Sequence, residues 1–116
     1  MAEIRIRRVY DEALEDDGFR ILADRLWPRG ITKEKANLDF WASNISPSND
    51  LRKEYHGDQD SQSFERKYLA ELESNPEAGD FKVLVSQKLA DTNVALLTSA
   101  KDMEFNHCHV LIIWLR

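Results

Sequence analysis

A chain of 116 residues, 42% of them apolar and 32% charged, has the composition of one soluble globular domain and is too short for two independent cores. Its longest apolar run, residues 110–115, is far below the roughly 20 residues of a membrane-spanning helix. The formal net charge of −5 disfavours nucleic acid as a partner without excluding it. The single cysteine, Cys108, and the lack of a signal-peptide pattern predict a cytoplasmic protein.

The first quarter of the chain is predicted to contain two strands. Apolar residues at alternate positions predict one strand over residues 3–9, and residues 19–23 predict a second strand that ends at Asp24. The acidic loop between them, residues 11–18, is too short for a helical crossover, because parallel neighbours need a dozen or more connecting residues. The two strands are therefore either antiparallel partners or not adjacent.

The next segment is less regular. Residues 38–41 form either a short strand or a packed connection. Pro47 and Ser48 precede a polar stretch in the way that an N-cap precedes a helix, so that a short helix is predicted to end near Gly57.

Two longer helices are predicted after Gly57. Apolar residues share one face over residues 61–74, where Lys67 is in position to pair with Glu71, and Asn75-Pro76 ends this helix. Residues 81–89 repeat the helical spacing.

The C-terminal quarter is predicted to form a strand, a turn and a helix. Residues 94–98 are a continuous apolar run, typical of a strand buried on both faces. Asp102 is predicted to cap the last helix, whose buried side carries Phe105, Cys108, Leu111, Ile112 and Leu115. Strands separated by helices indicate the α/β class, as a single three-layer-like domain with a mainly central sheet flanked by helices.

Polar residues concentrate after two of the predicted strands. Residues 24–30, Asp-Arg-Leu-Trp-Pro-Arg-Gly, follow the second strand, and residues 99–102, Ser-Ala-Lys-Asp, follow the last one. Ligands of open α/β sheets bind beyond the carboxyl ends of the strands, and a helix beginning at Asp102 would add the positive end of its dipole. The two segments therefore predict one anion site.

The residue types suggest a role for each member of this site. Arg25, Arg29 and Lys101 would hold a small anionic molecule, nucleotide- or phosphate-like, with Ser99 and Asp102 beside it. The remaining candidates are Trp27 as a pocket wall and Asp24 or His107 as the proton-transfer group. No metal site or cofactor is predicted, because consecutive side chains at 107–109 diverge on a helix.

Each of these residues also has a structural alternative. The arginines would then pair only within the protein, Trp27 would only pack, Asp102 would only cap a helix, and residues 24–30 would be a fold nucleus without a ligand. Cys108 is interpreted as a small apolar filler.

Several motifs together resemble the YeaO-like bacterial family, domain of unknown function 488. The residues that carry the resemblance include Arg8-Val9-Tyr10-Asp11, Asp24-Arg25-x-Trp27-Pro28-Arg29-Gly30, Pro47-Ser48-x-x-Leu51-Arg52 and Ala100-Lys101-Asp102-x-x-x-Asn106-His107. The resemblance implies a compact bacterial α/β domain and a site built from these motifs, and it assigns no reaction. The chain departs from the family pattern at Cys108, where a small apolar residue is expected, and at Thr98-Ser99, where an aromatic residue is commoner.

Two functions follow from the residues. The first is an enzyme or a ligand-binding domain for the small anion. The alternative is a non-enzymatic interaction module, in which Arg5, Arg7 and Arg8 or the apolar last helix meet a protein or nucleic-acid partner. Neither function assigns an oligomeric state.

Overall fold

The apolar run at residues 94–98 forms a buried strand, as predicted, and it lies at the centre of a parallel sheet. In the computed structural model, which describes residues 2–116, this strand is β4 (Val94–Thr98), flanked by β1 (Ile4–Arg8) and β2 (Phe19–Leu22), with β3 (Phe40–Trp41) beyond β2. The sheet order is β1-β4-β2-β3, and every pairing is parallel. The α/β class predicted from the sequence is confirmed.

The two faces of the sheet bury two separate cores. Along β4, Val94 and Leu96 join the larger core, whereas Ala95 and Leu97 join the smaller one, as the two-residue period of a strand requires. The larger core packs against four helices, α2 (Asn49–Asp58), α3 (Ser61–Ser74), α4 (Pro76–Leu89) and α5 (His107–Leu115). The smaller core is covered by the segment that contains the four-residue helix α1 (Lys33–Ala36).

The first two strands are not adjacent, which is one of the two predicted arrangements. Arg5 of β1 and Arg20 of β2 both align with Ala95, so β4 lies between them and the short acidic loop connects two non-neighbouring strands. The loop enters β2 through Gly18, whose φ is +72°; a Cβ there would lie 2.1 Å from the Asn93 carbonyl oxygen. Only glycine fits this crossing.

The central helices begin where the sequence predicts. The Ser48 hydroxyl accepts the Leu51 N–H at 3.2 Å and caps α2, and α3 spans residues 61–74. The predicted pairing of Lys67 with Glu71 is wrong. Lys67 Nζ lies 2.6 Å from Glu54 on α2, and Glu71 accepts the Ser48 N–H, because packing of α2 on α3 offers both side chains partners outside their own helix.

The predicted start of the last helix is also wrong. Asn106, not Asp102, is the N-cap of α5, since its side chain accepts the Cys108 N–H at 2.9 Å. Asp102 instead accepts the N–H groups of Glu104 and Phe105 in a turn. An aspartate makes the same local hydrogen bonds in a turn as at a helix end, so the sequence pattern does not separate the two. Lys101 therefore does not lie at a helix N-terminus.

Candidate functional site

The carboxyl ends of β2 and β4 open onto a cavity of about 690 Å³. Its lining residues come from four parts of the chain, namely the turn after β2, residues 98–107 after β4, residues 47–59 around helix α2, and Phe64 of α3. Every residue predicted for the site lines this cavity: Asp24, Arg25, Trp27, Arg29, Ser99, Lys101, Asp102 and His107. The fold thus brings the two polar segments together, while their roles toward a ligand stay predictions.

Asp24 is buried at the base of the cavity and joins its two polar segments. One carboxylate oxygen accepts the Thr98 hydroxyl at 2.8 Å, and the other accepts the N–H and the hydroxyl of Ser99 at 2.8 and 2.7 Å. Burial raises the pKa of Asp24, but hydrogen bonds and charge from His107 and hydrogen bonds from Ser99 outweigh it, so the pKa lies below its ordinary value. Thr98 and Ser99, the departure from the family pattern, here supply hydroxyl groups that hold this carboxylate.

His107 is fixed by the same cluster. Its Nε2 lies 2.6 Å from the Ala23 carbonyl oxygen and 3.2 Å from Asp24 Oδ1. Both neighbours are acceptors, so Nε2 carries a proton. Burial alone lowers the pKa of His107, yet the neighbouring Cys108 and Asp24 side chains raise it above its ordinary value of 6.5. The geometry therefore uses Asp24 and His107 to fasten α5 to the end of β2, and their proton-transfer role stays a prediction.

Arg25 is committed to the backbone. Its guanidinium donates to the Pro47 carbonyl at 2.9 Å and to the Ser46 carbonyl at 2.6 Å, and its own carbonyl accepts the Ser43 hydroxyl. These bonds attach the turn after β2 to the segment that leads into α2. Hydrogen bonds within the protein are therefore enough to explain the position of Arg25, although this positively charged residue also lines the cavity.

Arg29 and Lys101 differ from Arg25, because both side chains are exposed at the cavity. Within residues 2–116 neither side chain forms a hydrogen bond or an ion pair. The backbone of Arg29 is nevertheless held, since its carbonyl accepts the Tyr10 hydroxyl at 2.9 Å. Both cations therefore lie at the cavity without a partner among the described residues, so each is able to bind an anion.

The cavity is positively charged although the chain is acidic overall. Its lining contains the arginine and lysine side chains of Arg25, Arg29, Arg52 and Lys101 and the carboxylates of Asp24 and Asp102. The chain as a whole carries a formal net charge of −5. The excess of positive charge is thus local to the cavity, where it attracts anions.

Trp27 serves both packing and the cavity wall. Its indole N–H donates to the Ile31 carbonyl at 2.9 Å, and its ring meets Trp41 edge-on with the centroids 5.4 Å apart. The ring packs against the smaller core and remains partly exposed at the cavity. Trp27 thus lies in the cavity wall, and most of its contacts are structural; its role toward a ligand stays a prediction.

The contribution of α2 to the cavity was not predicted from the sequence. The cavity is lined from α2 by Arg52, Tyr55 and His56, whose spacing of three and four residues places them on one face of the helix, and by its C-cap residue Gln59. The spacing was visible in the sequence, but nothing in it indicated which face meets the cavity.

Arg8 was also not predicted to support this site, although it belongs to one of the motifs that carry the family resemblance. Its guanidinium donates to the carbonyls of Ala100 at 3.1 Å and Ser99 at 3.3 Å. Arg8 therefore holds the loop after β4 from behind, and no local signal in β1 points to a partner more than 90 residues away.

Residues 2–116 contain no cluster of three or more His, Cys, Asp or Glu side chains placed to hold a metal ion. They also contain no helix both long and apolar enough to cross a membrane.

Comparison with known proteins gives one family. The family model described as "Inactive DUF488-N3 subclade" matches residues 3–116. The Uncharacterized protein YeaO of Escherichia coli (strain K12) is 46% identical over 114 residues, which cover 97% of this chain and 96% of that protein. The Uncharacterized protein Rv3073c of Mycobacterium tuberculosis (strain ATCC 25618 / H37Rv) is 30% identical over 109 residues, covering 93% and 89%. No solved structure matches the chain.

Proposed function

This chain belongs to the YeaO-like family of domain of unknown function 488, in a subclade described as inactive, and on that premise we propose that it binds a small anionic molecule without transforming it. The ligand is nucleotide- or phosphate-like. The observation that carries the proposal is the positively charged cavity, in which Arg29 and Lys101 stand exposed and uncommitted within the described residues.

The charge arrangement supports an anion over other ligands. Arg25 keeps its charge while it holds two carbonyl groups, and Arg29, Lys101 and Arg52 add three further cations around the same space. A guanidinium fork matches the geometry of phosphate or carboxylate oxygens. A cavity of about 690 Å³ is within the range that encloses a small organic ligand.

The polar cluster at the base of the cavity supports binding over catalysis. Nε2 of His107 donates to the acceptors Ala23 and Asp24, and the pKa of His107 is raised to about 10, so near neutral pH the imidazole is protonated and has no lone pair to act as a general base. Both oxygens of Asp24 accept hydrogen bonds from within the chain. A ligand would therefore meet a preorganised wall. We place the protein in the cytoplasm, because a chain with one buried free cysteine suits a reducing compartment.

The internal contacts of Arg5, Arg7 and Arg8 weigh against the alternative, in which these arginines form the binding face of an interaction module. Arg5 pairs with Glu3 and Asp16, and Arg7 pairs with Asp17. Arg8 holds the loop after β4. These guanidinium groups are therefore engaged within the chain, whereas binding to a nucleic-acid backbone needs cations available to phosphates.

The test is a thermal-shift screen of inorganic phosphate, pyrophosphate and phosphorylated metabolites. The native protein, Arg29→Ala and Arg66→Ala are compared; Arg66 is exposed on α3 away from the cavity, so its variant is a control of equal charge change. We expect stabilisation by at least one phosphorylated compound to be reduced in Arg29→Ala and unchanged in Arg66→Ala. Equal responses of all three proteins, or no response to any anion, would contradict the proposal.

A further inference from the structure

One wall of the cavity is an aromatic cluster, formed by Tyr55, Phe64 and Phe105. The ring centroids of Tyr55 and Phe64 are 5.0 Å apart, and Phe105 lies 6.1 Å from Tyr55 and 6.2 Å from Phe64. Phe64 is buried, whereas Tyr55 and Phe105 are partly exposed. The two outer rings are therefore held by packing from behind and present aromatic surface to the cavity.

A bare phosphate would not use this wall. It would bind at the cations and leave the partly exposed rings of Tyr55, Phe105 and Trp27 facing water, although apolar surface in a cavity gains free energy when a ligand covers it. Trp27 is also fixed, by its hydrogen bond to Ile31 and its contact with Trp41, so it meets a flat group with little loss of side-chain entropy.

An acceptor for hydroxyl groups lies beside the cations. Asp102 follows Lys101 in the loop after β4, and only its Oδ1 is used, by the N–H groups of Glu104 and Phe105. Within residues 2–116 its second oxygen has no hydrogen-bond partner. A carboxylate would repel a phosphate but accepts hydrogen bonds from a hydroxylated linker. The cavity therefore combines cations, a hydroxyl acceptor and aromatic faces.

We infer that the ligand is a nucleoside monophosphate, with its phosphate at Arg29 and Lys101, its sugar hydroxyls at Asp102 and its base against Tyr55 and Phe105. This inference rests on the proposed function and narrows it to one class of ligand. Stacking of a base on an aromatic side chain contributes about 1–3 kcal/mol, so the base is expected to increase affinity by about fivefold to a hundredfold.

Isothermal titration calorimetry tests the inference with four ligands: inorganic phosphate, ribose 5-phosphate, a purine and a pyrimidine nucleoside 5′-monophosphate. The native protein is compared with Tyr55→Leu, which removes a ring, and Tyr55→Phe, which keeps it. We expect a nucleoside monophosphate to bind about tenfold tighter than ribose 5-phosphate. Tyr55→Leu should remove that advantage, leave ribose 5-phosphate affinity unchanged and differ from Tyr55→Phe.

The outcomes separate the two proposals. If phosphate and ribose 5-phosphate bind and neither nucleotide binds tighter, the inference fails and the proposed function stands. If no phosphate compound binds, both fail. If a 5′-phosphorylated single-stranded oligonucleotide binds more than tenfold tighter than either mononucleotide, the partner is a nucleic-acid end and the inference fails. The ligand series on the native protein decides these cases even if a Tyr55 variant does not fold.

Discussion

Two buried carboxylates lie at the two ends of β2, and they are used differently. Asp17 is separated from the start of β2 only by Gly18, and it pairs with Arg7 and with the buried Arg20. Asp24 follows the strand and accepts hydrogen bonds from hydroxyl groups and His107. In both cases burial raises the carboxyl pKa, and internal hydrogen bonds and charges outweigh it and lower the pKa.

The difference lies in what surrounds the two groups. Arg7 and Arg20 both pair with the Asp17 carboxylate. Arg20 also donates to the backbone carbonyls of Ala36 and Asn37. At Asp24 the neighbouring segments supply Arg29 and Lys101, exposed at a cavity. Charge density in a sequence therefore marks a candidate ligand site only when some cations are left without internal partners.

The largest expected effect comes from Asp17→Ala. It leaves Arg20 buried without its carboxylate, and loss of one partner from such a pair destabilises a protein by about 3–5 kcal/mol. Chemical denaturation measures the change in the free energy of unfolding. Asp16→Ala is the matched control, since Asp16 is exposed and should matter much less. A small effect of Asp17→Ala would remove the distinction between the two ends of β2.

Arg25→Ala is expected to come next, at about 1.5–3 kcal/mol, because two hydrogen bonds from a charged donor to the Ser46 and Pro47 carbonyls are lost. Arg25→Lys keeps the charge without the fork that reaches both carbonyls and should recover only part of the stability. Full stability of Arg25→Ala would show that the turn after β2 is held by other contacts, and that Arg25 is available to a ligand.

A third prediction concerns pH. The pKa of His107 is raised in the folded state, so its stabilisation is fully present below the unfolded value of 6.5 and is lost as pH rises through the folded pKa. Above 6.5 the free energy of unfolding should fall by on the order of 1 kcal/mol per pH unit. His107→Gln should show a flatter profile between pH 6.5 and the folded pKa of about 10. Identical profiles would place the raised pKa in doubt.

The two carboxylates act at the acid end. Their lowered pKa values mean that their stabilisation is present above the unfolded value of 3.8 and is lost as pH falls through the folded values. The contacts of Asp17 with Arg7 and Arg20 should therefore weaken only in acid, whereas the contact between Asp24 and His107 should weaken in acid and again as His107 loses its proton. The pH profiles of Asp17→Ala and of His107→Gln distinguish the two contacts.

The smallest effect on stability is expected for Arg29→Ala, within about 0.5 kcal/mol, because its side chain is exposed and has no partner within the described residues. Ligand affinity should nevertheless fall, by about tenfold for one charged hydrogen bond. Thermal unfolding and calorimetry on the same samples measure both quantities. A marked loss of stability would assign Arg29 to the scaffold, as Arg25 is.

Local patterns were sufficient for the central strand, for α3 and for the two polar segments that line the cavity. The apolar run at 94–98 predicts the buried central strand, and the shared face over 61–74 predicts α3, because periodicity reports burial directly. The acidic loop was predicted only as a turn. Burial of Asp17 within it depends on Arg7 and Arg20, and local sequence does not reveal that pairing.

Local patterns and motifs were enough to predict the fold class, the family and the two polar segments that follow β2 and β4. Only the folded structure shows that β4 separates β1 from β2, that α5 begins at His107, and that α2 completes the cavity. It also decided which cations are used internally: Arg25 meets carbonyls more than 20 residues away, and Arg29 does not. Such contacts join residues far apart in the chain, and periodicity and capping, which are local, do not encode them.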